Sequence, residues 1–314
     1  MIPCRHLTMA KLQFSMAILT LSFISSFNSI TSSTFTLTNQ CNYPVWAGLL
    51  SGAGTAPLPT TGFPLQPSQS NSVEVPPGWS GRMWGRTLCS ADSTGRFSCV
   101  TGDCGSGTIE CNGSGAAPPT TLAEFTLNGA NGMDFYDVSL VDGYNLPMMV
   151  VPQGGTGGNC NVTGCMVDLN KNCPSALRLT ATGGSDESVA CKSACEAFGD
   201  PMYCCSGAYS TPQTCSPTSY SEYFKTACPT AYSYAYDDGS STFTCSSANY
   251  VITFCPTPAN SRKTTGAGQP PADSSGGSSL AEALGGHSVM VIAVLLLTMI
   301  SLKCPRCFIF LLLG

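Results

Sequence analysis

Cysteine is the residue type in this chain with the greatest potential for chemistry. The sequence holds 19 cysteines, and sixteen of them lie between Cys41 and Cys255. Closely spaced cysteines serve either as disulfide partners or as thiolate ligands of zinc. The reducing cytosol would leave so many thiols unpaired, whereas an even number permits complete pairing in a secreted protein. The sequence therefore predicts a disulfide framework, with a four-cysteine zinc site as the alternative. Adjacent Cys204 and Cys205 should each reach a different partner.

Histidine placement and charge limit the other chemistries. Both histidines, His6 and His287, lie outside the cysteine-rich segment, so Ser-His-Asp and Cys-His mechanisms are not expected in it. Residues 33–260 contain seven basic and sixteen acidic side chains, a formal charge of −9. Phosphate binding needs clustered lysine and arginine, so the sequence argues against nucleic acid as a partner. No metal site and no cofactor are predicted.

The N-terminal segment has the composition of a targeting sequence. Arg5 and Lys11 precede an apolar run diluted with serine and threonine, and small residues follow it. This layout predicts a signal peptide over residues 1–32. Secretion in turn makes the sequons at Asn112 and Asn161 candidates for glycosylation.

The C-terminal segment resembles an attachment signal. Residues 257–279 are rich in proline, glycine and serine and predict a flexible linker. Residues 280–314 form a hydrophobic tail, in which a polar spacer precedes the apolar run 289–302. Small residues, spacer and apolar run together are typical of a signal for a GPI anchor.

The residues after that run leave a second interpretation open. Lys303 and Arg306 follow it, next to Cys304 and Cys307. A single-pass helix would keep the two cations on the cytoplasmic side and offer the two cysteines for palmitoylation. The GPI anchor is the preferred interpretation, because the run is shorter than the roughly 20 residues that span a bilayer.

Short alternating runs predict the strands of the domain between these ends. Two half-buried strands are expected within residues 34–46, on either side of an Asn/Pro break. Further strands, each bounded by turn residues, are expected at 72–75, 81–87, 121–127, 134–141, 146–151, 242–244 and 250–254. Many short strands of this kind are typical of a β-sandwich.

Residues 154–228 have a different texture, with closely spaced cysteines and glycines. One helix is predicted over residues 188–198, and another from Ser219. Ser219 and Glu222 form the pattern of a capping box, and Pro229 ends this second helix. Since the region has little continuous apolar sequence, its disulfides should supply much of its order.

The most specific motif spans residues 95–111 and contains the segment Cys-Val-Thr-Gly-Asp-Cys from Cys99 to Cys104. This motif closely resembles the signature of the thaumatin-like family. Segments 82–87, 118–125, 134–145 and 250–256 resemble further family segments in the same order, so the resemblance covers residues 34–256. It implies a mainly β fold, a sandwich flanked by two small disulfide-rich lobes, over residues 33–256.

The resemblance also implies eight disulfides, with the family's pairing carried over by the order of the cysteines along the chain. They are Cys41–Cys255, Cys89–Cys99, Cys104–Cys111, Cys160–Cys245, Cys165–Cys228, Cys173–Cys191, Cys195–Cys204 and Cys205–Cys215.

Many antifungal members of the family share a cleft of one arginine, one glutamate and three aspartates. The matching positions here are Arg82, Glu124, Asp137, Asp142 and Asp237, and Asp238 is the alternative to its neighbour. Carboxylates around one cleft repel each other, which permits a protonated acid beside an ionised partner, as glycoside hydrolysis requires. The same groups can accept hydrogen bonds from sugar hydroxyls without any chemistry.

Within this cleft, Glu124 is predicted to be the general acid, because it lies in an apolar strand. Asp137 and Asp142 are the candidates for the ionised partner. The family resemblance implies a monomeric, pathogenesis-related plant defence protein, antifungal and extracellular, that binds β-1,3-glucan. The alternatives are a weak endo-β-1,3-glucanase that uses the same cleft, and a membrane-held signalling or wall protein that binds a protein partner.

Overall fold

The structure is a computed structural model that describes residues 32–181 and 187–257. The proposed signal peptide, the linker after residue 257 and the proposed anchor signal lie outside the described residues. Within the described ranges, no helix is long and apolar enough to cross a membrane.

The described residues form fourteen strands and four short α-helices. The strands are β1 (Ser33–Asn39), β2 (Val45–Ser51), β3 (Gly62–Leu65), β4 (Ser70–Val75), β5 (Ser80–Ala91), β6 (Phe97–Thr101), β7 (Leu122–Thr126), β8 (Asp134–Ser139), β9 (Met148–Gln153), β10 (Thr163–Cys165), β11 (Arg178–Thr180), β12 (Ser188–Cys191), β13 (Phe243–Cys245) and β14 (Asn249–Phe254). The helices are α1 (Ala194–Phe198), α2 (Pro201–Cys204), α3 (Ser219–Ala227) and α4 (Asp238–Ser241).

Two sheets form the predicted sandwich. The first sheet has the order β10-β9-β14-β1-β4, with β1 and β14 parallel. The second has the order β13-β8-β7-β5-β2-β3, with β6 paired to β5. Aromatic side chains of the two sheets meet between them: the ring centroids of Phe35 and Phe125 are 4.5 Å apart, and those of Tyr136 and Tyr250 are 5.2 Å apart. The mainly β fold class predicted from the sequence is therefore confirmed.

A disulfide loop covers one part of the outer face of the second sheet. Trp84 of β5 is fully buried beneath the Cys104–Cys111 loop, and its Nε1 donates to the Gly102 carbonyl at 2.8 Å. Gly48 of β2 lies against this ring, and a Cβ there would come within 2.3 Å of it. Two residues before Trp84 along β5, at Arg82, the same face is open, which leaves room for polar side chains there.

Arg86 fastens the loop to the sheet. Its side chain is fully buried and donates to the carbonyl oxygens of Trp46, Ala47 and Ile109. Burial lowers the pKa of this guanidinium to about 10, although Asp103 and Glu110 oppose that shift. Because three carbonyls depend on it, Arg86 ties β2 to the loop residue Ile109.

Eight disulfides staple the described residues, and their partners are those that the family resemblance implies. The Cys41–Cys255 bond joins the ends of β1 and β14, across a sequence separation of 214 residues. Four other bonds have both cysteines in the segment 154–228. That segment contains α1, α2 and α3 and has only short strands of its own.

The helix predicted over residues 188–198 is wrong in its first half. Ser188–Cys191 is strand β12, which pairs with β11, and Cys191 also exchanges backbone hydrogen bonds with Tyr144. Only α1 is helical, and Ser193 caps it by accepting from the Glu196 N–H. The pairing partners are distant in sequence, so local periodicity could not report them.

The second helix begins and ends close to its predicted bounds. Its N-cap is Thr218 rather than Ser219, and Thr218 and Ser221 form the capping box. Glu222 lies in the first turn, where a negative charge is favourable, and the helix ends at Ala227, before Pro229. Strands β3, β6, β10 and β11 are short and were not predicted from the sequence.

Candidate functional site

Three neighbouring strands place one arginine and two carboxyl groups side by side. In the register of the second sheet, Arg82 of β5 pairs with Glu124 of β7, and Glu124 pairs with Asp137 of β8. Directly opposed residues lie on the same face, with Cβ atoms roughly 4.5–5.5 Å apart. The row lies on the open part of the outer face, so the sheet itself holds the three groups in order.

The row forms the floor of an open cleft. On one side Asp142, Tyr232 and Asp238 join it around a cavity of about 380 Å³. On the other side the cavity, of about 350 Å³, continues past Gly52 and Phe135. Both cavities share Arg82, Glu124 and Asp137 among their lining residues. The cleft therefore extends on both sides of the row.

Of the two adjacent aspartates weighed from the sequence, Asp238 lines the cleft and Asp237 does not. Asp237 forms an ion pair with Lys225, at 2.9 Å, and accepts from the backbone N–H and the hydroxyl of Ser233, both at 3.0 Å. Asp238 instead accepts from the Tyr232 hydroxyl at 2.8 Å. Four of the five positions implied by the resemblance therefore line the cleft. The fifth, Asp237, does not, and Asp238 lies there in its place.

Burial and neighbouring charges favour a proton on Asp137. Burial raises the pKa of the Asp137 carboxyl well above its usual range, and the negative charges of Glu124 and Asp238 add to this. The Oδ1 atom of Asp137 is shielded from solvent and has no hydrogen-bond partner among the described residues. A protonated carboxyl that lines a cleft is a group that can donate to a ligand oxygen.

Glu124 has a smaller shift in the same direction. Burial raises the pKa of its carboxyl, the Arg82 guanidinium opposes this, and Asp142 adds to it. Arg82 is thus the one group in the row that favours the ionised form of Glu124. The electrostatics therefore favour Asp137 over Glu124 as the proton-holding acid, the reverse of the assignment made from the sequence.

Glu196 is a further acidic group near the cleft that sequence reasoning did not single out. It lies in α1, and burial raises its pKa to about 7, with Lys192 opposing and Asp142 adding to the shift. Its Oε2 atom is shielded from solvent, and no group in the part of the chain that the structure describes bonds to it. No local sequence signal could have found it, because its surroundings come from the packing of α1 near the Asp142 turn.

Asp103, Asn112 and Asn161 lie outside the acidic cleft. Asp103 accepts from the backbone N–H of Cys99 at 2.9 Å and from that of Gly105 at 2.7 Å, which is a turn-forming role. Asn112 and Asn161 are exposed, and their glycosylation stays a prediction. Across residues 32–181 and 187–257, no group of three or more potential ligands could hold a metal ion.

Comparisons with known proteins agree with this architecture. The Thaumatin family model matches residues 39–256. The chain is 57% identical over 229 residues to Thaumatin-like protein 1 of Arabidopsis thaliana, covering 71% of this chain and 86% of that protein. It is 53% identical over 234 residues to a glucan endo-1,3-beta-glucosidase of Prunus avium, covering 74% and 94% respectively.

A third relative is a PR5-like receptor kinase of Arabidopsis thaliana, 53% identical over 252 residues. That match covers 80% of this chain but 37% of the kinase, so the chain spans little more than a third of that relative. Family match, sequence identity, eight disulfides and the sandwich fold all agree. The chain therefore belongs to the thaumatin family of pathogenesis-related, thaumatin-like proteins.

Proposed function

We propose that this protein is an extracellular defence protein that binds β-1,3-glucan in the acidic cleft. The observation that carries the proposal is the in-register row of Arg82, Glu124 and Asp137, with Asp142 and Asp238 beside it. A groove that continues past both sides of its charged centre suits the interior of a polysaccharide chain rather than the end of one. The relative named a glucan endo-1,3-beta-glucosidase supports the same ligand class.

The charge of the cleft selects against anionic ligands. It holds one cation and four carboxyl groups, and ionised carboxylates only accept hydrogen bonds. Neutral sugar hydroxyls supply the donors that such a surface lacks. Arg82 offers the complementary donors for a ring or glycosidic oxygen, since its guanidinium carries only N–H groups.

Slow hydrolysis by the same cleft is the second candidate function. Opposed positions on β7 and β8 place the Cβ atoms of Glu124 and Asp137 roughly 5 Å apart, so their carboxyl groups share one end of the cleft, as an acid and its partner must. Asp137 would protonate the leaving glycosidic oxygen while Glu124, kept ionised by Arg82, attacks the anomeric carbon and forms a glycosyl-enzyme bond. Water, giving its proton to the Asp137 carboxylate, would then hydrolyse that bond and restore both groups. The relative named a glucanase favours this candidate.

Arg82→Ala tests the binding proposal. We expect the variant to bind laminarin about tenfold more weakly, because a charge-assisted hydrogen bond is lost and repulsion among the carboxylates rises. Calorimetric titration with laminarin measures the effect, and Arg96→Ala, at an exposed arginine outside the cleft, is the matched control. Equal affinity of the two variants, or a wild type that does not bind, would contradict the proposal.

A protein partner is the third candidate, favoured by the receptor kinase relative. It becomes the leading one if wild-type protein neither binds nor cleaves β-1,3-glucan. In either case we propose a monomer that is secreted and held at the outer face of the plasma membrane, or in the cell wall, with a GPI anchor added near residues 274–279.

The anchor has its own test. Phosphatidylinositol-specific phospholipase C should release the protein from intact cells, because the enzyme cuts the lipid of a GPI anchor and leaves a spanning helix untouched. Mass spectrometry of the mature protein is the accompanying measurement. If residues 308–313 are still present in the mature chain, the spanning-helix alternative replaces the GPI anchor.

A further inference from the structure

A second groove lies outside the acidic cleft and shares none of its lining residues. We define it by Tyr43, Trp46, Leu88, Asn170 and Arg178, and call it the aromatic groove. Its cavity volume is about 700 Å³, within the range of sites that bind small molecules. Its walls come from the segment before β2, the end of β5 and the disulfide-rich segment that begins at residue 154.

The disulfide loop separates this groove from the cleft. Trp46 lines the groove, while Leu50, on the same face of β2, lines the cleft. The two positions are about 13 Å apart along the strand. Trp84 lies between them, buried beneath the loop and packed against Gly48. A ligand in one site therefore does not need to touch the other.

Apolar and aromatic faces of the groove are open to solvent. Tyr43 is 40% exposed and Leu88 is 53% exposed. Trp46 is partly exposed and makes one aromatic contact, with Phe97 at a centroid distance of 5.9 Å. Leu88 has a backbone φ of +53°, which a bulky residue rarely adopts. Flat rings beside an open cavity offer surfaces on which the C–H face of a sugar ring can stack.

The polar groups of the groove sum to zero charge. Asp168 and Lys171 form an ion pair at 3.4 Å, and Arg178 and Glu187 add one charge of each sign. A neutral ligand suits this balance, since neither charge sign is in excess. The groove thus differs from the acidic cleft in its electrostatics as well as in its position.

Asn170 adds an unused acceptor. Its Nδ2 donates to the carbonyl oxygens of Asn145 and Val189, at 2.9 and 3.1 Å, which fixes the orientation of the amide. Its Oδ1 is shielded from solvent and has no hydrogen-bond partner within residues 32–181 and 187–257. A buried carbonyl oxygen without a partner is costly, and a small side-chain shift that admits a ligand hydroxyl would satisfy it.

We propose that the aromatic groove is a second carbohydrate site that binds a neutral oligosaccharide independently of the acidic cleft. The sugar ring stacks on Tyr43 and Trp46, and a hydroxyl donates to Asn170. Two separate sites on one domain would hold a polysaccharide more tightly than either site alone. The inference shares with the proposed function only the class of ligand.

Tryptophan fluorescence of the intact secreted protein tests this site selectively. The chain has three tryptophans, and Trp79 and Trp84 are buried, at 1% and 0% exposure, so Trp46 is the reporter. Titration with laminarihexaose, cellohexaose or xylohexaose should change the emission, and Trp46→Phe should remove that change. Tyr43→Ala should weaken the affinity about fivefold to tenfold. Tyr209→Ala is the matched control, at a tyrosine of the segment 154–228 that is 36% exposed. It should leave the affinity unchanged.

The outcomes separate this inference from the proposed function. Emission that stays constant with all three hexasaccharides at millimolar concentration overturns the aromatic groove, whatever the cleft binds. Loss of the emission change in Arg82→Ala also overturns it, because the two sites would then not be independent. A retained emission change in Arg82→Ala, together with weaker laminarin binding, supports both sites.

Discussion

If the cleft hydrolyses laminarin, as the second candidate function requires, Asp137→Asn is expected to lower the release of reducing ends by about 100-fold or more, the usual contribution of a general acid. Asparagine keeps the shape and the hydrogen-bonding capacity of the side chain but cannot supply a proton. Affinity should change much less, because the amide still donates to a ligand oxygen. Asp200→Asn is the matched control: Asp200 caps α2 far along the chain, and asparagine caps a helix equally well.

Glu124→Gln completes the comparison. Loss of activity in Glu124→Gln with retention in Asp137→Asn would return the acid role to Glu124, as the sequence predicted. Loss in both variants, with the basic limb of the pH–rate profile absent only in Asp137→Asn, would identify Asp137 as the acid and Glu124 as its partner.

Asp137→Asn should also change the pH dependence of folding stability. Because the pKa of Asp137 is raised in the folded state, the folded state binds the proton more tightly than the unfolded chain. Stability from this group is present below the unfolded pKa, about 4, and is lost as the pH rises through the folded pKa. Asp137→Asn should therefore be more stable than wild type at pH 8 and similar to it near pH 4. Urea unfolding at the two pH values measures this, and a variant that is less stable at pH 8 contradicts the burial argument.

Loss of the Cys41–Cys255 disulfide is the largest stability effect we expect. The bond closes a loop of 214 residues, and loop-closure entropy assigns such a bond about 5 kcal/mol. It also fastens the ends of β1 and β14, which pair in parallel inside the first sheet. The double variant Cys41→Ala/Cys255→Ala should unfold at much lower denaturant concentration than wild type.

The matched control is Cys205→Ala/Cys215→Ala, which opens a loop with a separation of 10 residues. Loop entropy assigns that bond about 3 kcal/mol. Equal losses in the two double variants would show that loop length does not govern the contribution of these bonds. Removing both cysteines of each pair avoids a free thiol that could exchange with other disulfides.

The disulfide loop over Trp84 separates the acidic cleft from the aromatic groove. The loop from Gly102 to Cys111 buries Trp84 and leaves the outer face of the second sheet open on either side of it. Arg86 anchors that loop without facing either site. A single structural feature therefore divides one sheet face into two surfaces of different charge.

The sequence alone predicted the disulfide framework, the fold class and much of the strand pattern. An even set of cysteines implies disulfides whatever the fold, because it is a matter of redox chemistry. Strands such as β1 and β14 could be predicted because side chains alternate along a strand, so burial is recorded locally as a period of two. The resemblance to the family then supplied Arg82, Glu124 and Asp137, which fall on adjacent strands in register.

Only the tertiary structure decided which groups meet. Asp237 and Asp238 are neighbours in sequence, and the contacts of Lys225 and Tyr232 decide that the second one lines the cleft. Residues of β12 form a strand because β11 and Tyr144 offer backbone partners, which no local pattern reports. Proton affinity at Asp137 and the walls of the aromatic groove arise from segments far apart along the chain, because burial and charge act through space.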